Sequence, residues 1–197
     1  MVRLAAAERR QQLLEAARVS FLGAGPNGTK IRDIAAAAHV NEALIYRHFA
    51  SKQELFEAAI VEPLIKLMDQ LQSEARSMPA GTEDQLVSFT RDFYRSLLRT
   101  FSETIDLFGT VLFSDRGVGR DFYATHLVPF IDSVVETVHS NLNSWDHEDF
   151  NPRIITTMGV GMCWGLAMDS YFREEELDIQ FTAEAIMDVV FKGLLKR

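Results

Sequence analysis

The sequence is poor in the residues that open the commoner routes to covalent scaffolds and to catalysis. It has one cysteine, Cys163, in 197 residues, which excludes an intrachain disulfide framework and fits a reducing cytoplasm. No apolar run reaches the roughly 20 residues that a bilayer-spanning helix needs, so no membrane span is expected. The opening M-V-R-L-A-A-A-E-R-R carries charges where a secretory leader needs its apolar stretch. Histidines are few, and His126, His139 and His147 form no H-x-x-x-H or H-x-x-E-H pattern, so no metal site is expected. Cys163 has no histidine at a readable spacing and reads as a buried structural thiol. Paired carboxylates and nucleophile–base spacings are also missing, so neither an enzyme nor a cofactor is expected. The stretch G-V-G-M-C-W-G at 159–165 puts Trp164 where a phosphate-binding G-x-G-x-x-G needs its third glycine. Its glycines suit instead the close approach of another helix, at a dimer interface or a cavity wall.

What the chain does have is apolar mass and an uneven charge. Hydrophobic residues make up 47% and charged residues 24%, and the net charge is −8. That is enough apolar material for a substantial core, in one domain or in a small domain fused to a larger one. Residues 1–60 hold eight Lys and Arg against six Asp and Glu, whereas the remainder holds twelve against twenty-two. A mildly basic head on an acidic body is the distribution of a polyanion-binding module attached to a domain that does not bind polyanions.

Apolar residues recur with the helical period almost throughout, and strand-like alternation is nearly absent, so the fold class is all-α. Leu13, Leu14, Ala17 and Phe21 mark a first helix, stopped by the breaker run G-A-G-P-N-G at 23–28. A short helix is expected from Lys30 to Ala38, with Thr29 as its N-cap, and a third from Asn41 to His48. Ser51 opens a fourth, Glu54 completing a capping box, and Pro63 should kink it. After a loop at 78–84, helices are expected over 83–101, 103–113, 119–143, 152–172 and 180–196, about nine in all. Pro152 behind Asn151 stands at a favoured first helical position.

Residues 40–49, V-N-E-A-L-I-Y-R-H-F, set Tyr46, Arg47 and His48 side by side between apolar stretches. Two helices of this length are too short to stand alone. They make sense as a helix-turn-helix packed on the first helix, its second element presented to a DNA major groove. Leu44 or Ile45, with Phe49, would anchor that element. Asn41, Glu42 and Ala43 would face base edges, while Tyr46, His48 and Lys52 would donate to phosphate.

The segments L-L-E-A-A at 13–17 and T-K-I-R-D-I-A-A-A-A-H-V-N-E-A-L-I-Y-R-H-F-A-S-K-Q-E-L-F at 29–56 resemble the TetR family of transcriptional regulators. The resemblance covers about the first quarter of the chain; beyond it, only helix number and length fit. It implies an Ω-shaped homodimer with three-helix heads on a palindromic double-stranded operator and C-terminal helices forming the dimer interface and a ligand cavity. The implied division is a DNA-binding domain over 1–52 and an effector-binding and dimerisation domain over 53–197. Tyr46, His48 and Lys52 match phosphate-gripping positions, and Arg32 a position that reaches a base in some members. His39 stands where the family usually has Gly, and tolerates a left-handed turn better than most residues. Lys30 replaces a small hydroxyl residue, and Glu42 brings a negative charge to a position facing DNA. The candidate DNA contacts are Lys30, Arg32, Asn41, Glu42, Ala43, Leu44, Tyr46, Arg47, His48 and Lys52.

In the body, apolar and aromatic residues with few polar partners suit a small, largely hydrophobic effector. Candidate lining residues are Phe93, Leu97, Phe108, Leu112, His126, Phe130, Trp164 and Met168, with Tyr94, Tyr123 or His126 as polar contacts. Leu67 and Leu71 on the kinked helix should face the body. Ile155, Met158, Gly159, Met162 and Leu166, with Ile186, Val189, Val190, Phe191 and Leu194, should form the homodimer's four-helix bundle. A regulator with a filled core and no effector, and an all-α enzyme, are the competing readings.

Overall fold

The computed structural model describes residues 6–78, 81–144 and 147–194. These residues are helical almost throughout, with no strand among them. The helices are α1 (Ala6–Gly28), α2 (Ile31–Ala37), α3 (Glu42–His48), α4 (Lys52–Phe56), α5 (Glu62–Arg76), α6 (Glu83–Phe113), α7 (Arg116–Phe122), α8 (Val128–Ser140), α9 (Pro152–Arg173) and α10 (Ile179–Leu194). Pro79 and Ala80 of the expected loop, and residues 195 and 196 of the expected last helix, lie outside the described residues. Contacts divide the chain into two compact units, Met1–Lys66 with Asp106–Phe122, and Leu67–Ile105 with Tyr123–Arg197.

The first unit is built on α1. Leu13, Ala17 and Phe21 recur every four residues and are fully buried. Ile34 and Ala35 of α2, Ile45 of α3, Phe49, and Leu55 and Phe56 of α4 are buried with them. The Phe21 and Phe56 rings meet edge to face at 5.1 Å. Each large side chain buried in this way contributes about 1.5–3 kcal/mol. The breaker run acts at Gly25, where φ is 68° and the helical geometry of α1 is interrupted. In the unit's other segment, Phe108 packs edge-on against Phe122 at 6.3 Å.

In the second unit, Phe93, Leu97 and Phe101 of α6, Phe130 and Ile131 of α8, Cys163 and Ala167 of α9, and Ala183 and Ile186 of α10 are buried. Trp164 meets Phe101 edge to face at 5.5 Å. Polar ties rim this core: Arg91 and Arg95 of α6 both pair with Glu184 of α10, at 3.0 and 3.2 Å. Glu74 of α5 accepts from Ser96 at 2.9 Å, and Arg76 donates to Ser133 at 3.0 Å.

Three expectations are corrected. The helices foreseen over 83–101 and 103–113 are one helix, because F-S-E contains no breaker. The inner face of α5 is Leu64, Met68, Leu71 and Ala75, with Leu67 only half-buried. Pro63 is met by a widened π turn over Glu57–Val61, in which the Glu62 N–H reaches back five residues to the Glu57 carbonyl. A matching π turn, Tyr123–Leu127, precedes Pro129 inside the helical run expected over 119–143. In both places the turn relieves the clash between the proline ring and the carbonyl four residues back.

Thr29 is the fourth correction. The residue preceding α2 is Lys30, extended and without a side-chain cap. Thr29 is instead 3% exposed, and its hydroxyl donates to the carbonyls of Gly25 at 2.7 Å and Ser20 at 2.9 Å, tying the chain's exit to the end of α1. Thr29→Val should therefore lower unfolding stability by about 1–3 kcal/mol, read as a shifted urea midpoint at unchanged slope.

Candidate nucleic-acid interface and cavity

The turn between α2 and α3 is closed by backbone bonds. His39 sits at φ 54°, and its N–H and that of Val40 reach the carbonyls of Ala36 at 3.1 Å and Ala35 at 2.9 Å. This left-handed helix stop usually takes glycine. Histidine fills it here, as expected. The Gln12 side chain adds a bond from α1 to the Ala38 carbonyl at 3.1 Å. The turn then leads directly into Asn41, whose Oδ1 accepts from the Leu44 N–H at 2.9 Å. Asn41 was expected to face base edges, but its carbonyl oxygen is committed to capping α3, leaving its amide N–H groups outward.

Ile45 and Phe49 are the buried anchors of α3, and Leu44 is half-buried, which settles the choice between Leu44 and Ile45. The Arg10 guanidinium stands 4.9 Å over the Phe49 ring. With that side turned inward, Glu42, Ala43, Tyr46 and Arg47 are exposed, and His48 is half-buried beside Phe49. Lys30 and Arg32 are exposed on and before α2, Arg32 pairing with Asp33 at 3.5 Å. Glu42 occupies the first turn of α3, where the helix dipole favours a carboxylate.

Ser51 caps α4, accepting from the Glu54 N–H at 3.0 Å, and Glu54 accepts from Ala50 at 2.6 Å, a capping box reaching one residue further back than usual. Lys52, expected to donate to phosphate, also has a structural role within the protein. Its ammonium donates to the Pro26 carbonyl at 2.8 Å and the Thr29 carbonyl at 3.1 Å, so two of its three donors clasp the end of α1 and the residue just after it.

The second unit holds a cavity of about 80 Å³ lined by Met78, Leu86, Thr90, Phe93, Tyr94, Leu97, Val134, Val138, Asn141, Phe150, Ile155, Thr156, Val160, Val190 and Phe191. Of the lining residues expected from sequence, Phe93 and Leu97 are there, and Tyr94 is there as a polar contact. The others are elsewhere. Phe108 and Leu112 belong to the first unit. Phe130 is buried in the core, and Trp164 is held against Phe101. His126 and Tyr123 lie in the π turn before α8, and Met168 is 40% exposed on the outer side of α9. The missed signal was polarity on buried helix faces: Asn141 and Thr156 are polar residues at positions where the periodic pattern turns inward.

Burial raises the Tyr94 phenol well above the ordinary tyrosine range, with nearby Cys163 adding to the effect. Burial also pushes the Cys163 thiol up to about 12, only partly offset by a backbone hydrogen bond. At neutral pH both are uncharged, and Cys163 is no nucleophile.

Gly159 faces inward: a methyl there would overlap the Tyr94 hydroxyl. Gly161 and Gly165 face open space on the other side of α9, beside exposed Ile154, Met158 and Leu166. Phe172, Phe181 and Val189 are 75%, 71% and 63% exposed. Of the residues expected in the dimer bundle, Gly159 and Ile186 point inward and Ile155, Val190 and Phe191 line the cavity, while Met158, Leu166 and Val189 are exposed.

A three-helix unit whose third helix is capped, anchored from behind and bare in front defines a helix-turn-helix protein. Residues 13–59 match the family described as bacterial regulatory proteins, tetR family. An HTH-type transcriptional repressor of Mycobacterium tuberculosis is 44% identical over 63 residues, 32% of this chain and 34% of that protein. The chain therefore aligns with about a third of that relative's length. Over the whole chain the likeness is one of fold. A TetR-like transcriptional regulator from Rhodococcus has a TM-score of 0.73 at 19% identity, covering 97% of this chain and 98% of that one. The transcriptional regulator FadR from Bacillus subtilis, solved in complex with stearoyl-CoA, has a TM-score of 0.68 at 12% identity, covering 93% and 98%. Residues 13–59 therefore match the tetR family, and over its length the chain shares the fold of the solved TetR-like regulators.

The clasp at Lys52 generates a prediction that phosphate contact alone would not. Lys52→Ala should lower the stability of the DNA-free protein by about 1–2 kcal/mol, the low end for hydrogen bonds from a charged group because the site is partly exposed. Chemical denaturation without DNA reads this directly.

Proposed function

We propose that the protein is a homodimeric transcriptional repressor that binds a palindromic operator through α3 and is released by a small, largely apolar effector. Residues 1–52 serve as the DNA-binding part and 53–197 as the effector-binding and dimerisation part. The observation that carries the reading is the arrangement of α3: Ile45 and Phe49 hold it from behind while Glu42, Ala43, Tyr46 and Arg47 stand exposed in front. Such a helix can enter a major groove with its first residues at base edges, and Tyr46, His48 and the basic side chains can reach phosphate. The exposed apolar face of α9 and α10 supports pairing with a second copy, which a palindromic site requires. The cavity supports an effector, and the stearoyl-CoA bound by the B. subtilis neighbour is a precedent for an apolar ligand in this fold. The same cavity weighs against a regulator with a filled core.

Fluorescence anisotropy with DNA flanking the protein's own coding region tests the reading. Affinity should fall steeply with salt, and random DNA should bind at least about a thousandfold more weakly. Equal affinity for both would remove operator recognition. Within that assay, Glu42→Gln should either strengthen binding to all DNA or relax selectivity at one symmetric base pair by about 1–3 kcal/mol. If neither moves, Glu42 serves only the α3 dipole.

Dimerisation has its own test. Replacing exposed Met158 and Phe181 by Glu places charge in the proposed interface without touching either core. Sedimentation should show a folded monomer with lost operator affinity. A dimer surviving both substitutions would place the interface elsewhere.

A further inference from the structure

The cavity wall in the second unit has a polar pattern that an unspecified apolar effector does not use. None of its lining side chains is ionisable to a charge at neutral pH; apart from Thr90, Tyr94, Asn141 and Thr156, all are apolar. Thr90 turns its hydroxyl onto the Leu86 carbonyl at 2.8 Å, and the Asn141 amide donates to Thr137 at 2.9 Å. Thr156 differs. It is 6% exposed, and its Oγ1 has no hydrogen-bond partner. Threonines in helices commonly bond the carbonyl four residues back, and Thr104 and Thr137 do so here at 2.5 and 2.9 Å. An unpaired hydroxyl on a buried helix face costs stability in the ligand-free protein. One turn further along the same face, Gly159 leaves room for the Tyr94 hydroxyl, which a methyl at that position would overlap. Tyr94 is 7% exposed and lines the same cavity. Two hydroxyls therefore stand on one otherwise apolar wall.

We propose that the cavity takes a compact, uncharged molecule with one carbonyl oxygen, which accepts hydrogen bonds from the Thr156 and Tyr94 hydroxyls while its apolar remainder packs against Phe93, Phe150 and Val160. This rests on the effector reading above and narrows it. A carbonyl oxygen has two lone pairs and satisfies two donors at once. An anion entering this wall would give up its hydration and meet no counter-charge. Length is limited as well. At about 10–15 Å³ per water, the cavity of about 80 Å³ has room for on the order of six waters. That corresponds to about ten non-hydrogen atoms of ligand held within the cavity itself.

Acetophenone, cumene and benzoate share one outline and differ in carrying a carbonyl, no polar atom, or a charge. Calorimetric titration of the full chain should show acetophenone binding about tenfold or more tightly than cumene, with benzoate at neutral pH the weakest. Thr156→Val should erase the advantage of acetophenone over cumene and also raise the ligand-free melting temperature by about 2–4 °C, because it removes the orphaned hydroxyl. Tyr94→Phe should reduce the same advantage. Benzoate binding as tightly as acetophenone, a preference that survives both substitutions, or binding of none of the three would overturn the proposal. Operator anisotropy followed in the same titrations separates the two readings. Thr156-dependent binding of acetophenone with the operator still held would leave the ligand class standing and remove the effector role.

Discussion

Helices of seven residues do not hold themselves in water, where even good helix formers need roughly 12–15 residues to be marginal. α2 and α3 are both of that length, and the first unit depends on how that deficit is met. Leu13, Ala17 and Phe21 present a stripe on α1, and Ile34, Ala35, Ile45 and Phe49 close over it. Once that stripe is covered, helical phase leaves no choice about what faces out: Glu42, Ala43, Tyr46 and Arg47 occupy the remaining sides of α3. The exposed face of α3 is thus a by-product of the core. The caps finish the work, since the Asn41 and Ser51 side chains satisfy backbone donors that helices this short would otherwise leave open.

The same dependence explains what could be read from the sequence. Short helices need strong local signals, so Asn41, Ser51 and Glu54 announced their boundaries, and the proline and glycine of 25–26 marked the break. The two elements of the helix-turn-helix, with Phe49 and one of Leu44 or Ile45 as anchors, were legible for that reason. Long helices need no such signals. A few polar residues such as Ser102 and Glu103 look like a joint and are not one. Cavity residues were the least legible, because a helix face records that a residue points inward and not whether another side chain meets it. Phe108 and Phe93 have the same character in the sequence. One closes against Phe122, and the other borders empty space.

Helix α9 answers two demands with one residue type. Small residues on its inner side, Thr156, Gly159, Cys163 and Ala167, let Tyr94 come close. On its outer side Gly161 and Gly165 leave the backbone bare between Ile154, Met158 and Phe172. In the sequence the three glycines form one cluster. In the fold they split: Gly159 faces the Tyr94 ring, and Gly161 and Gly165 face open space. A bulkier residue at Gly159 would displace the Tyr94 phenol.

The π turns before Pro63 and Pro129 carry a consequence for how this chain compares with others. Each widened turn accommodates one residue more than a regular helix would, and one residue advances a helix by about 100°. A relative whose helix runs straight through the same place would align with this chain only by a single-residue gap within 57–61 or 123–127. An ungapped alignment would carry the wrong stripe of α5 inward, pairing core positions with surface ones for the rest of the helix. Inserted residues of this kind are visible in coordinates as a bulge and in alignments as an offset.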